Sequence, residues 1–68
     1  MEGVILYDGK GKYGMTEIEV RIIHKNGNDW SHKKVERVEL TDRFLVLKRS
    51  IGNVYAKVEE ISSFYFSE

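Results

Sequence analysis

The chain has 68 residues, 41% apolar and 32% charged, with no cysteine and no proline, which bounds it to one small domain over residues 1–68 with a thin core. Lacking cysteine, it has no disulfide, no thiolate metal site and no cysteine nucleophile, and its two histidines are too few for a histidine-only zinc site. Eleven basic and eleven acidic residues cancel, far from the basic footprint of a phosphate-binding surface.

The charge is mildly uneven along the chain. Residues 1–28 sum to zero, residues 29–53 to +2 and residues 54–68 to −2. Residues 1–3 lack the basic start of a secretory signal, and the longest apolar runs are four residues, 4–7 and 44–47, too short to span a membrane. A cytoplasmic protein is the expectation.

The first strand is expected over residues 3–7, apolar on both faces at Val4, Ile5, Leu6 and Tyr7. Residues 8–14 follow as a loop, with Gly9, Gly11 and Gly14 supplying backbone freedom. Residues 15–24 form the second strand and alternate most clearly. Ile18, Val20 and Ile22 lie on one face, and Glu17, Glu19 and Arg21 on the other. Lys25-Asn26-Gly27-Asn28-Asp29 is the strongest turn signal, and Asn26-Gly27 suits a type I′ hairpin.

Residues 30–40 admit two readings. A helix would use Ser31 as cap, with Val35 and Val38 three apart. A strand would carry Val38 and Leu40, with Val35 before a bulge or bend. The strand runs directly into a Thr41-Asp42 turn and the apolar run Phe44-Leu45-Val46-Leu47, and it is the reading adopted here. That run, apolar on both faces, predicts a central strand. A tight turn at residues 50–53 leads to a strand with Val54, Ala56 and Val58 inward and Tyr55, Lys57 and Glu59 outward. One short helical turn over residues 59–63 then precedes a last strand over 64–66. The predicted core is Ile18, Val20, Ile22, Leu40, Phe44, Val46, Val54, Ala56, Val58 and Ile61.

Five or six hairpin-linked strands in so short a chain predict an all-β, antiparallel, five- to six-stranded sheet or partly open barrel. Closure shields edge strands where proline is absent. The pattern resembles SH3-like and Sm-like barrels in general shape, with no motif of either matched residue by residue.

The chemistry is sparse. Residues 8–14 combine glycine with Lys10 and Lys12, but a strand follows where a phosphate loop requires Gly-Lys-Ser/Thr opening a helix. A hairpin loop is the plainer reading. His24 and His32 flank the turn with Asp29 between them and could approach one another across the strands, one ligand short of a metal site with supporting groups. The serines sit in no nucleophile elbow, and Glu59-Glu60, adjacent on a strand, would point apart. No catalytic residue, cofactor or metal site is expected, and the protein is not read as an enzyme.

Partner binding is expected at Trp30, Lys33, Lys34, Arg37, Tyr55 and Tyr65, since tryptophan, tyrosine and arginine recur at interface centres. Trp30 also fits a core plug at the end of a barrel. The expected function is a non-enzymatic protein-interaction module, with self-association into a homo-oligomer as one route. Short motif-free proteins of this kind are common among phage and mobile-element accessory or inhibitor proteins. The alternative is a small nucleic-acid-binding barrel in which Trp30 and Tyr55 stack bases beside Lys33, Lys34, Arg37, Lys48 and Arg49.

Overall fold

A computed structural model describes residues 3–11, 14–15 and 17–67. Among them the chain forms nine strands and a single 3₁₀ turn: β1 (Val4–Tyr7), β2 (Lys10–Gly11), β3 (Gly14–Met15), β4 (Ile18–His24), β5 (Asp29–Val35), β6 (Arg37–Leu40), β7 (Phe44–Lys48), β8 (Val54–Lys57), the 3₁₀ turn (Val58–Glu60) and β9 (Ile61–Ser67). They make a four-stranded sheet in the order β1-β6-β7-β8, a three-stranded sheet β5-β4-β9 and a small β2-β3 ribbon, all antiparallel. The all-β expectation holds. No helix among the described residues is long and apolar enough to cross a membrane.

The stretch over residues 30–40 is strand, not helix. Only Glu36 separates β5 from β6, so one bent strand serves both sheets. The bend has a cause in the backbone: Lys34 takes φ 60°, and the register with β4 slips between the Ile18↔Val35 and Val20↔His32 pairs. One extra residue bulges and re-aims the strand. Val35 therefore pairs with Ile18 in one sheet while Arg37 pairs with Lys48 in the other.

The buried core cluster is Ile18, Val20 and Ile22 of β4, Val35 of β5, Val38 of β6, Leu45 and Leu47 of β7 and Ala56 of β8. Tyr7, Leu40, Val54, Ile61 and Phe64 pack on it, partly buried. Here β7 corrects the sequence reading by one residue. Leu45 and Leu47 face the core with Ala56, Val54 and Val38 as cross-strand partners. Phe44 and Val46 point to the opposite face, where Val46 pairs with Glu39 and Tyr55. Val46 is nonetheless buried, because those longer side chains cover it. A strand apolar on both faces does not declare its inner side.

The turns are built by short polar residues. The turn after β4 is not type I′, which requires positive φ at both central positions. Only Gly27 is positive, at 94°. Gly27 N–H donates to the His24 carbonyl at 2.9 Å, His24 N–H donates to the Asn28 carbonyl at 2.8 Å, and Asn26 Oδ1 accepts from Asn28 N–H at 3.0 Å. The loop thus holds three residues and ends in a left-handed glycine. Between β6 and β7, Thr41 Oγ1 accepts from Phe44 N–H at 2.9 Å, and Thr41 N–H donates to the Phe44 carbonyl at 2.8 Å.

The helical turn lies at Val58–Glu60, and the last strand begins at Ile61, earlier than expected. Val58 N–H donates to the Arg43 carbonyl and Lys25 N–H to the Glu60 carbonyl, both at 2.8 Å, tying this corner to both sheets. In the glycine-rich segment, Lys10–Gly11 and Gly14–Met15 form the ribbon. Lys12 and Tyr13, part of the phosphate-loop reading, lie outside the described residues, as do Thr16 of the expected second strand and residues 1–2 of the expected N-terminus.

Candidate functional site

The β4–β5 hairpin and the edge strand β8 leave a cleft of about 400 Å³ between them. The hairpin contributes Ile22, His24, Trp30 and His32; the other wall is Phe44, Val54, Tyr55, Ala56 and Lys57, with Glu60 of the 3₁₀ turn at one end. Strand parity explains the hairpin wall. Ile22 pairs with Trp30 and Val20 with His32, and cross-strand partners share a face. Trp30 and His32 therefore lie on the core-facing side, as do Ile22 and His24. Because β8 has no neighbour beyond it among the described residues, side chains from both of its faces reach the cleft.

Trp30 is 53% exposed and Tyr55 62%. A core-plug role for Trp30 is overturned: it occupies the core-facing side, but at an open end where about half of it stays exposed. Tyr55 stands edge-on to Phe44, ring centroids 6.3 Å apart, a favoured aromatic geometry. A second concavity of about 540 Å³ continues along the same side, lined by Asp42, Arg43, Phe44, Lys57, Val58 and Glu59. Phe44 and Lys57 belong to both.

His32 is half-buried, and loss of solvent pushes its pKa below the usual histidine value, helped by the nearby positive charge of Arg49 and by His24. Arg49 is anchored by its own turn, Nε donating to the Gly52 carbonyl at 2.9 Å. Asp29 lies on the opposite face of the hairpin. Its Oδ1 and Oδ2 accept from Arg21 Nε at 2.9 and 3.0 Å, and Arg21 Nη2 also donates to Oδ2. The guanidinium holds the Asp29 carboxyl below its usual range. The two histidines and Asp29 therefore do not converge, and among the described residues no three histidine, aspartate, glutamate or cysteine side chains come together to hold a metal.

The six residues expected at a partner surface are divided by the fold. Trp30 and Tyr55 share the cleft. Lys33, three residues beyond Trp30, falls on the opposite strand face, and Lys34 occupies the bulge; both are exposed. Arg37 is past the bend, on the outer face of the four-stranded sheet, where Nε lies 3.2 Å from Glu39 Oε1. That Nε is shielded from solvent without a well-aligned acceptor, so the contact is Coulombic rather than a good hydrogen bond. Lys48 Nζ sits 3.5 Å from the other Glu39 oxygen. Tyr65 lies on the outer face of the three-stranded sheet, paired with Arg21. One continuous aromatic and basic platform is thus not formed.

Of the wall residues, only Trp30 and Tyr55 were expected at a partner surface; His24 and His32 were weighed only as metal ligands, and Ile22, Phe44, Val54, Ala56, Lys57 and Glu60 were not singled out as contacts. His32 carried a usable signal, since it stands two residues from Trp30 on one strand. Phe44 and Val54 carried none, because their position depends on how the two sheets meet. No family model, curated protein or solved structure matches this chain.

Proposed function

We infer that the protein is a non-catalytic interaction module that binds a segment of another protein in the cleft between the β4–β5 hairpin and β8. The observation that carries this reading is the half-exposed Trp30, which shares the cleft with Tyr55, Phe44, Ile22, Val54 and Ala56. Rigid aromatic side chains at an open concavity are the usual energetic centre of a protein interface. In the cleft itself the described rim supplies Lys57, with Arg49 close to His32, and Glu60, while Arg43, Asp42 and Glu59 line the concavity that continues it. An extended segment with apolar anchors and acidic flanks fits that combination, and an accessory or inhibitor role follows naturally for so small a module.

The same reading takes the architecture as an SH3-like, partly open barrel. In its support, β5 and β6 act as one bent strand shared by both sheets, and a 3₁₀ turn links β8 to β9. A nucleic-acid surface is less well supported. Arg21 is paired with Asp29, and Arg37 and Lys48 with Glu39, whereas phosphate recognition relies on unpaired Lys and Arg that displace the counterions condensed on the nucleic acid.

Selection of a displayed random-peptide library on the immobilised protein tests the reading. Enriched peptides should combine aromatic or aliphatic anchors with acidic residues, shift the Trp30 emission to shorter wavelength on binding, and lose affinity for Trp30→Ala and Tyr55→Ala. Enrichment unaffected by both substitutions would sink the cleft. Quenching of Trp30 by single-stranded oligonucleotides, falling steeply with added salt, would transfer the site to nucleic acid.

A further inference from the structure

Among the described residues, four strands end the two main sheets: β1 and β8 on one, β5 and β9 on the other. A free strand edge is a template for another chain unless it is short, bulged or charged. Three of the four edges carry such protection. β1 is four residues long and its register breaks between Ile5 and Tyr7. β8 is four residues long and ends on Lys57 at the 3₁₀ turn. β5 presents Lys33 and Lys34, with the bulge at Lys34 throwing its edge out of line.

The exception is β9. It has seven residues, Ile-Ser-Ser-Phe-Tyr-Phe-Ser, and none is charged. Its one irregularity falls at Ser62, which leaves residues 63–67 in unbroken register with β4. Those five residues offer about 17 Å of straight edge. Tyr65 is 56% exposed and Phe66 40%, and the Phe66 ring lies 5.8 Å from that of Phe64, so the edge is lined by aromatic surface.

We propose that β9 is a self-association edge, on which β9 of a second copy pairs antiparallel about a two-fold axis near Tyr65. A two-fold interface sets one patch against itself, so any charge near the axis meets its own sign, at a cost. Two copies of β5 would set lysine against lysine; two copies of β9 set neutral side chains together. The pairing joins two three-stranded sheets into one of six, with the order β5-β4-β9-β9-β4-β5. It satisfies the outward backbone groups of β9 and brings the aromatic rows of the two copies into cross-strand contact. The absence of net charge leaves no long-range repulsion between copies. Neither Trp30 nor Tyr55 takes part, so this inference stands apart from the cleft reading.

Light scattering and sedimentation velocity across a low- to high-micromolar concentration series test the proposal on the full chain. The unaltered protein should form a dimer. Tyr65→Lys should shift the monomer–dimer equilibrium toward monomer by roughly tenfold or more, because it sets like charges across the axis. Ser63→Lys, which faces Ser67 of the second copy in this register and not its own charge, puts a charge on the same edge and should weaken the dimer by a smaller factor. Circular dichroism should show both variants still folded, since each changes a side chain outside the core. Ile5→Lys on β1 should leave the dimer intact. A monomer throughout the series would overturn the proposal. So would a dimer that survives both β9 substitutions, or one that dissociates only with Ile5→Lys.

Discussion

Leucine at position 47 and valine at position 46 are both buried, yet the structure gives them very different energetic weight. Leu47 is inaccessible to solvent and packs in the core, paired with Val38 and Val54. Leu47→Ala removes three carbon groups, about 2.4 kcal/mol of transfer free energy at about 0.8 kcal/mol each. A cavity that the neighbouring strands only partly close raises the loss toward about 3–4 kcal/mol. Val46→Ala removes two groups on the outer face, under Glu39 and Tyr55, whose side chains can settle into the space. Its cost is about 1.6 kcal/mol, the transfer term with little cavity penalty. A domain of this length has roughly 3–10 kcal/mol in total, so Leu47→Ala approaches the limit of folding while Val46→Ala leaves a folded protein. Urea denaturation followed by circular dichroism measures both, with a shared slope confirming that the unfolded states are comparable. Thermal midpoints should fall by roughly 12–30 °C for Leu47→Ala and by about 6–13 °C for Val46→Ala. Equal losses, or a larger loss for Val46→Ala, would show that β7 presents its other face to the core.

Trp30→Ala should lower stability by about 1–3 kcal/mol, as expected for a half-buried tryptophan and short of the full cost of a buried one, and the intact protein should show red-shifted emission readily quenched by acrylamide. Blue, shielded emission in the free monomer would restore the core-plug role. Gly52 takes φ 133° with no atom near an added Cβ, so Gly52→Ala should cost about 1–3 kcal/mol from backbone strain alone; an unchanged unfolding midpoint would show that this turn relaxes freely. Burial lowers the His32 pKa below its unfolded value of about 6.5. The unfolded chain therefore binds more protons in the window between the folded pKa and about 6.5, so stability falls as pH falls through that window. His32→Gln should flatten the dependence of the urea midpoint on pH there, and an identical slope in the variant would assign the effect to another group.

Much of the architecture was legible because strand periodicity and turn chemistry are local. Ile18, Val20 and Ile22 alternate with charged neighbours, and the structure buries all three. The Asn-Gly and Gly-Asn turns lie where polar, flexible residues interrupt apolar runs. Even the bend after residue 33 was foreshadowed by valines that fit no single strand face. The cleft was only half legible. Trp30 and Tyr55 were chosen for their chemistry and do meet, whereas Lys33, Lys34, Arg37 and Tyr65 were chosen for the same reason and are separated by parity and by the bend.

Composition and local pattern by themselves determined that this is a cysteine-free, charge-balanced, antiparallel β-protein with its turns at definite places. Those properties depend on residues only a few positions apart. Tertiary structure alone decided which side of β7 is inside, since an apolar residue at every position satisfies either choice until the facing sheet selects one. It also decided that Arg37 crosses to the second sheet, that β8 is left as an edge opposite the β4–β5 hairpin, and that Trp30 stands open beside Tyr55. Each of these depends on how two sheets sharing one bent strand pack together, an arrangement that brings distant residues into contact and that no short window of sequence contains.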